Sequence, residues 1–566
     1  MKQLYYILIL LLSSNCFAQS FYLTINGIDK KQNQTIDSIL YIKKHPNIKS
    51  LNNEVSTVIN KLAKQGYLDS KILENKKIND STYISLIDLK TKIKEIHIYI
   101  GINSFFYQSK KTTKDSIIIP YKELENFLNQ EISDNEKAGF AFSRIKLENI
   151  KKKNSIIYAD LNFDSEKKRT LNSIIVNYAN PSLKDYFPKG ALKQLNKKYI
   201  NKTFNQETVK RLYDDINSFE FISQTKYPEI LFTPDSTKIY TYLDKRKANN
   251  FDGYIGFSND ENKKLILNGY LDITLTNILR AGEKFSLYWK SDGNQQKTFN
   301  TKLEIPYLFQ SPIGLKAQLN IFKQDSTFQN TKTDINLGYY LNYNSKLYLG
   351  YQSTESSDIQ NINNSLISDF NNSYITSTYE YRKTDPNNNL MSEKAFLNST
   401  LGFGKRETNS DPNTAEPSKQ FYINLNGSYN FELNSKNFIN INSQNFYLDS
   451  KNYISNELFR FGGMNSIRGF SENSLQANFY SAILTEYRYM FSKSAYIHSI
   501  ADYAIYQDLT NISIPKKIKN LIGIGIGAGI QTKNGILRII LTNGQQNQQE
   551  IQLYNTIVNI CYNVKF

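Results

Sequence analysis

The sequence has very little of the residues that form cross-links or bind metals. Its 566 residues include two cysteines and three histidines. Cys16 lies in an apolar N-terminal segment, so Cys561 is the only cysteine expected in the mature chain, and no internal disulfide can form. The histidines are too sparse for a convincing metal site. We therefore expect neither a disulfide framework nor a bound metal or other cofactor.

Long hydrophobic runs are also missing after the first residues, and the mean hydropathy is −0.50. This excludes a bundle of membrane helices. The one long apolar run, residues 4–12, follows Lys2 and precedes small and polar residues. The pattern is typical of a secretory signal peptide over residues 1–18, and it is too short to cross a bilayer core of roughly 30 Å. Lipidation of Cys16 stays open, although Asn15 fits a lipid-acceptor site poorly.

Catalytic signatures are absent as well. The sequence has no phosphate-binding glycine loop, no G-x-S-x-G elbow and no HExxH motif, so we do not expect an enzyme. The net charge is +17, and residues 1–250 carry 40 Lys and Arg against 26 Asp and Glu. These cations form short runs at expected turns and strand ends, where lysines discourage edge-to-edge pairing. Nucleic acid is therefore not an expected partner.

Helical and strand patterns alternate in the first part of the chain, in an order that repeats three times. Each unit has one strand, two helices and two strands, which predicts a small α+β module. In the second unit the helices are predicted at residues 121–132 and near residues 134–142. Three unrelated α+β domains are the alternative. We place the modules at residues 19–92, 93–169 and 170–247.

Alternating apolar and polar residues replace the helical pattern from residue 250 onward, in about sixteen segments. Each segment with its turn has room for the ~10-residue tilted strands that cross a bilayer. An even number of strands can close into an antiparallel barrel, and a sheet in lipid must close because an open edge leaves backbone groups unpaired. The fold class predicted for the whole chain is α+β modules followed by an all-β 16-stranded transmembrane barrel over residues 250–566. A soluble β-sandwich is the alternative.

Connections between the segments alternate in length. The turns at one end are short, such as residues 280–283 and 310–313, and those at the other end are longer, such as residues 353–372 and 405–419. Outer-membrane barrels have short periplasmic turns and long outer loops. The short turns are therefore predicted on the periplasmic side.

The segment "GGMNSIRGF" lies between the eleventh and twelfth strands, in an inserted loop over residues 450–475. Three modules before a sixteen-stranded barrel resemble the BamA/TamA outer-membrane assembly and translocation superfamily, the bacterial surface antigen family. Its modules are POTRA domains, and the number three resembles the TamA arrangement. In that family the sixth outer loop enters the lumen with a Val/Ile-Arg-Gly-Phe/Tyr motif. The matching residues here are Ile467, Arg468, Gly469 and Phe470.

An arginine inside a lumen needs acidic acceptors, because a desolvated charge without a partner is costly. The alternation of strands twelve and thirteen predicts that Glu486 and Asp502 face the lumen. We expect Arg468 to pair with Asp502, helped by Glu486; ordinary solvated lumen charges are the alternative. In strand fourteen, "LIGIGIGAGIQ", the isoleucines are expected to face lipid. The glycines then leave lumen space for an inserted loop.

The resemblance implies insertion or translocation of other proteins at the outer membrane, with the modules in the periplasm. The edges of the module strands would capture extended clients by β-augmentation. The seam between the first and last barrel strands would open sideways to template client strands. The chain ends in an aromatic residue, as outer-membrane sorting strands do. The proposed seam residues are Phe251, Gly253, Gly256, Tyr562 and Phe566.

The partners implied are unfolded outer-membrane or secreted client proteins, outer-membrane lipids, and accessory proteins of the periplasm or inner membrane. Two other functions stay open. A transporter of the two-partner-secretion type would export one dedicated protein. A passive channel or surface receptor would neither insert nor export proteins. A loop inside the lumen argues against a channel or receptor.

Overall fold

The computed structural model describes most of the chain, and the two ends lie outside its described residues. The signal peptide predicted at residues 1–18, including Cys16, and the seam residue Phe566 are therefore not described. No helix within the described part is both long and apolar enough to cross a membrane. The described residues are 20–101, 115–259, 265–291, 296–360, 366–385, 388, 390–408, 417–510, 518–533, 535–546 and 552–565.

The chain divides into two compact units, Met1–Thr170 with Thr203–Glu207, and Leu171–Lys202 with Thr208–Phe566. The first sheet of the first unit has the elements β1 Phe21–Gly27, α1 Lys30–Asp37, β2 Lys44–His45, α2 Ile48–Lys64, β3 Lys71–Lys77 and β4 Thr82–Asp88. Its strand order is β2-β1-β4-β3, with β1 parallel to β4. The helix α2 buries an apolar face against this sheet because leucines and valines recur at helical spacing.

The second sheet has the elements β5 Glu95–Tyr99, β6 Ser116–Pro120, α3 Leu124–Lys137, β7 Arg144–Lys153 and β8 Ile156–Asp164. Its strand order is β6-β5-β8-β7. The prediction of two helices is wrong for its described residues. One continuous helix, α3, runs from the first predicted segment into the second because no glycine or proline interrupts residues 124–137. The helix ends just before Gly139, whose φ is +102°.

The third sheet belongs to the second unit, together with the barrel. Its strand order is β10-β11-β9, and its elements follow the predicted order of one strand, two helices and two strands. They are β9 Ser173–Tyr178, α4 Lys189–Tyr199, α5 Gln206–Asn217, β10 Ile222–Phe232 and β11 Thr237–Lys245. Three small mixed sheets therefore precede the barrel, as predicted.

Sixteen antiparallel strands form the closed barrel, which confirms the predicted fold class. Two further strands, β23 Phe459–Phe461 and β24 Leu475–Ala477, pair with each other and are not part of the barrel wall. The barrel strands are β12 Asn250–Asn259, β13 Leu265–Thr276, β14 Lys284–Ser291, β15 Gln296–Ile305, β16 Ile313–Gln324, β17 Phe328–Tyr340, β18 Ser345–Asp358, β19 Phe370–Thr384, β20 Glu393–Thr408, β21 Ser418–Asn434, β22 Asn437–Ser450, β25 Phe479–Ser492, β26 Ala495–Gln507, β27 Lys519–Gln531, β28 Gly535–Gln546 and β29 Ile557–Lys565.

The alternating sequence pattern places apolar side chains outside the barrel and polar side chains inside it. On β17 and β18, Leu337 is 57% exposed and Leu349 is 65% exposed. Their alternating counterparts Asn336 and Gln352 are buried in the lumen. An apolar outer surface of this kind is what a barrel presents to lipid.

The third module packs against the barrel end that has the short turns. The ring of Phe219 lies 4.2 Å from that of Tyr343, in the turn between β17 and β18. Asn277 Nδ2, in the turn between β13 and β14, donates a 3.0 Å hydrogen bond to the carbonyl oxygen of Tyr186. Aromatic packing and a buried hydrogen bond therefore fix the module on this end.

A partly buried acidic residue, Glu220, adds an ion pair to this contact. Glu220 Oε2, just after α5, lies 3.0 Å from Lys284 Nζ at the start of β14. Burial alone raises the pKa of Glu220, but the positive charges of Lys284, Arg382 and Lys346 outweigh it and hold the pKa below the ordinary 4.5. The carboxylate is therefore ionised at neutral pH, and the pair stabilises the module–barrel contact.

We expect this stabilisation to fall in acid. Because the pKa of Glu220 is lower in the folded state, its contribution is complete above the unfolded pKa of about 4.5 and is lost as the pH falls through the folded value. Thermal denaturation of the full-length protein in detergent, from pH 7 to pH 3, measures this loss. Glu220→Gln should flatten that part of the profile, whereas Glu74→Gln, on the exposed strand β3, should not. A wild-type profile in Glu220→Gln would contradict the assignment.

Candidate functional site

The connection between β22 and β25, residues 451–478, folds into the barrel lumen and carries β23 and β24. Two glycines make its turn possible, because Gly462 and Gly463 have φ values of +109° and +98°. Ser466 Oγ accepts a 2.7 Å hydrogen bond from the Gly462 N–H. Ile467, which follows, is fully buried among Phe461 of the same connection and Tyr480 and other residues of the barrel wall. We call residues 451–478 the lumen loop.

Arg468 of the lumen loop binds Asp502 on β26 through two parallel hydrogen bonds. Its Nε lies 2.7 Å from Asp502 Oδ2, and its Nη2 lies 2.6 Å from Asp502 Oδ1. Nη2 also donates to the carbonyl oxygen of Thr485 at 3.2 Å, and Nη1 donates to Glu486 on β25. Arg468 is 6% exposed and Asp502 is 3% exposed. The guanidinium thus joins the loop to two adjacent barrel strands, and both carboxylates singled out from the sequence are its partners.

The two carboxylates differ in their other partners. Glu486 Oε2 accepts a 2.7 Å hydrogen bond from Arg488 Nε, so Glu486 keeps a cation when Arg468 is removed. Asp502 accepts backbone N–H groups from Thr485 and Arg468, at 3.1 and 3.3 Å, and its described ion pair is with Arg468. Two arginines and two carboxylates make the cluster neutral, which lowers the cost of burying it.

Glycines on both sides let the loop backbone approach the barrel wall. A Cβ added to Gly523 on β27 would collide with the Arg468 carbonyl oxygen. The loop therefore uses lumen space that the glycine face of this strand leaves, as the sequence led us to expect. Gly469 has a φ of +88°, and a Cβ there would collide with the backbone of Asn543 on β28. A Cβ on Gly544 would meet the ring of Phe470. Gly544 was not singled out from the sequence, although a glycine inside a strand can mark a close backbone approach.

Gly523→Ala is expected to loosen the lumen loop, because the colliding atom is a backbone oxygen that cannot rotate away. Overpacking of this kind typically costs about 1–3 kcal/mol. Limited proteolysis of the folded protein should show faster cleavage within residues 451–478. Gly427→Ala is the matched control, since the nearest atom to its added Cβ is a leucine methyl at 3.4 Å. Equal cleavage rates in the two variants would contradict the close contact.

A second buried ion pair holds the lumen loop to β20, which lies on the other side of β22 from β25 and β26. Glu457 of the loop pairs with Arg406 on β20, and the side chains are 3% and 5% exposed. Gln420 Nε2 on β21 donates a 2.7 Å hydrogen bond to the same carboxylate. This pair was not predicted from the sequence. The available signals were an acidic residue in the loop and an arginine at a lumen-facing position of its strand.

The loop also reaches the last barrel strand. Met464 Sδ lies 3.4 Å from Cys561 Sγ on β29. The loop also bonds to β14, β15, β17 and β18. Its contacts among the described residues therefore extend from β14 around to β29. No group of histidine, cysteine, aspartate and glutamate side chains suited to a metal ion occurs in the described part of the chain.

The seam between β12 and β29 has little backbone pairing. Its described register consists of two pairs, Asn250 with Lys565 and Phe251 with Val564. By comparison, β12 forms ten such pairs with β13, and β29 forms eight with β28. The first and last strands are thus much better attached to their other neighbours than to each other.

The proposed seam residues fall on both sides of this junction. Phe251 lies in it directly, whereas Gly253 and Gly256 pair with Leu271 and Asn268 of β13. Gly253 has a φ of +155°, and a Cβ there would touch the Tyr270 carbonyl oxygen. Tyr562 pairs with Leu537 of β28.

Comparison with known proteins gives a family match and several fold matches. A model of the Omp85 superfamily domain matches residues 277–553. CdiB from Acinetobacter baumannii matches with a TM-score of 0.52 and 15% identity, covering 92% of this chain and 97% of that chain. CdiB from Escherichia coli matches with a TM-score of 0.49 and 11% identity, covering 90% and 98%.

The structure of BamA from Haemophilus ducreyi lacking POTRA domains 1–3 matches with a TM-score of 0.44 and 14% identity. It covers 84% of this chain and 99% of that chain. No match was found among curated proteins. The fold shared with the Acinetobacter protein is that of modules followed by a barrel.

Proposed function

We propose, since this chain belongs to the Omp85 superfamily, that it inserts other barrel proteins into the outer membrane. Membership makes it an outer-membrane transporter or assembly factor and not an enzyme. The barrel lies in the outer membrane with the POTRA-like modules on its periplasmic side. Its clients are proteins to be inserted or secreted. Insertion, and the route a client takes, are our proposal.

The observation that carries the proposal is the two-pair seam between β12 and β29. A backbone hydrogen bond contributes about 0.5–1.5 kcal/mol net, so a seam of this length costs little to open. Opening exposes unpaired N–H and C=O groups along β12, and such an edge templates an added strand. A client strand would pair there while its apolar face enters the lipid directly.

The lumen loop is proposed to keep the wall beside the seam rigid during this exchange. Arg468 fixes the loop to β25 and β26, and Gly469 rests on β28. Burial of these contacts resists displacement of the loop from the lumen. This arrangement supports the proposed role of a latch for Ile467, Arg468, Gly469 and Phe470.

The modules are proposed to deliver clients to the seam. The strand β3 is an edge of the first sheet and is exposed along its whole length, and β7 is an edge of the second sheet. Exposed edges capture extended segments by β-augmentation. Three modules before the barrel support a TamA-like arrangement.

Export of one dedicated protein through the lumen is the second candidate. A cavity of about 560 Å³ in the lumen is lined by polar side chains that suit an unfolded chain, including Asn320, Asn336 and Gln352. The lumen loop lines the same cavity through Leu458, Phe459 and Arg460, and it would have to move first. This requirement favours the seam route.

Depletion of the protein distinguishes these functions. Quantitative proteomics of the outer membrane should show loss of many barrel proteins if insertion is the function. Loss of one secreted protein alone would support dedicated export instead. A change confined to small-solute permeability would indicate a channel, and re-expression of the wild-type chain is the control for secondary effects.

A further inference from the structure

A basic cavity of about 610 Å³ opens between the third module and the start of the barrel. It lies at the periplasmic end, where the chain passes from β11 into β12. Cations outnumber carboxylates on its walls. The cations are Lys245, Arg246, Lys247, Lys284, Arg382 and Lys533, and the acidic residues are Glu220, Asp385 and Glu393.

Two of these cations are neutralised by the cavity's own acidic residues. Lys284 pairs with Glu220 at 3.0 Å, and Arg382 Nη1 lies 3.3 Å from Glu393 Oε2. Arg246 is half-buried and has no carboxylate partner among the described residues. Burial lowers the pKa of Arg246 because few charges compensate the lost water. A partly desolvated guanidinium without an acidic partner favours binding of an external anion.

The register of the seam determines what an added strand would bring to this cavity. Asn250 forms part of the cavity wall and pairs with Lys565, near the end of the antiparallel strand β29. A client strand that takes the place of β29 in the same register therefore runs toward the cavity. Its chain terminus falls just beyond Asn250, beside Arg246.

We propose that this cavity binds the C-terminal carboxylate of a client polypeptide whose last strand pairs with β12. The inference rests on the proposed function, since it requires a client strand at the seam. Backbone pairing along β12 holds the strand, and the cations select the one register that ends at the cavity. A lipid phosphate could meet the same cations, but it would not use the strand edge that ends there.

Binding of a synthetic peptide to the full-length protein in zwitterionic nanodiscs tests this site. The peptide has the sequence of residues 557–566 with serine at position 561, and it is made as the free acid and as the C-terminal amide. We expect the free acid to bind about tenfold more tightly or better, the range for hydrogen bonds to charged groups. Arg246→Gln should abolish the preference while leaving binding of the amide unchanged, and Arg246→Lys should keep part of it.

Arg144→Gln, an equivalent charge change on the exposed strand β7 of the second module, is the matched control and should keep the full preference. Equal affinities of acid and amide for the wild-type protein would overturn the carboxylate site. So would displacement of both peptides to the same extent by a soluble phosphatidylglycerol, which would identify a lipid site. Failure of the site and failure of the proposed function can be distinguished. If Arg246→Gln abolishes the preference for the free acid but depletion of the protein causes no loss of barrel proteins, the carboxylate site stands and the insertion function is refuted.

Discussion

Replacing Arg468 with alanine is expected to lower the free energy of unfolding of the barrel by about 3–5 kcal/mol, the usual cost of leaving a buried charge unpaired. Asp502 is 3% exposed and would lose both of its side-chain hydrogen bonds to the guanidinium. Urea unfolding of the protein in lipid vesicles measures this change. Cells that depend on the variant should also assemble clients poorly, because the loop would leave the lumen.

Control variants distinguish the stability effect of removing a buried charge from that of removing an exposed one. Lys405→Ala removes one member of a pair with Glu407 in which both side chains are 53% exposed, and it should cost less than about 1 kcal/mol. Asp502→Asn should be more damaging than Glu486→Gln, because Arg468 makes two side-chain hydrogen bonds to Asp502 and one to Glu486. Wild-type stability and assembly in Arg468→Ala would refute the latch.

Closing the seam with a disulfide is expected to stop client assembly while the barrel stays folded. Phe251 and Val564 are directly opposite each other across the seam. Residues opposed in this way on antiparallel strands have Cα atoms about 4.5–5.5 Å apart, within the range that a disulfide spans. Phe251→Cys with Val564→Cys, in a chain with Cys561→Ser, should lose activity when oxidised and regain it with reductant.

The matched control places the same cross-link in another part of the wall. Leu337 and Leu349 are also directly opposed, on β17 and β18, and both face outward. A disulfide between cysteines at these positions should leave assembly unaffected. If the oxidised seam variant assembles clients at the wild-type rate, the seam does not open and the insertion mechanism fails.

Much of the barrel could be predicted because its pattern is local. A strand with one face in lipid and the other in the lumen must alternate apolar and polar residues, so each strand is readable from about ten residues. The same alternation predicted that Glu486 and Asp502 face the lumen. Because a desolvated arginine needs acidic acceptors, these two carboxylates were the expected partners of Arg468. The structure brings these three side chains together.

Contacts of the loop with distant strands could not be predicted in this way. The pair of Glu457 with Arg406 depends on where the loop lies in three dimensions, and neither residue has a neighbour in sequence that reveals it. The close approach of Gly469 to Gly544 is equally non-local. In the second module, polar residues link the two predicted helical segments, and only the absence of a helix breaker indicated the single helix α3.

The loop contacts have a mechanical consequence for the barrel. Between β25 and β29 the loop bonds to Glu486 and Asp502, rests on Gly523 and Asn543, and touches Cys561. Bending between any two of these five strands must break loop contacts as well as the sheet. This arc of the wall is therefore stiff. On the other side of the seam the loop also reaches β14 and β15, through Glu472 and Asn473. Compliance therefore concentrates at β12, which has no bond to the loop among the described residues. Deformation during opening would be carried by the first strand, with the last five moving as one body.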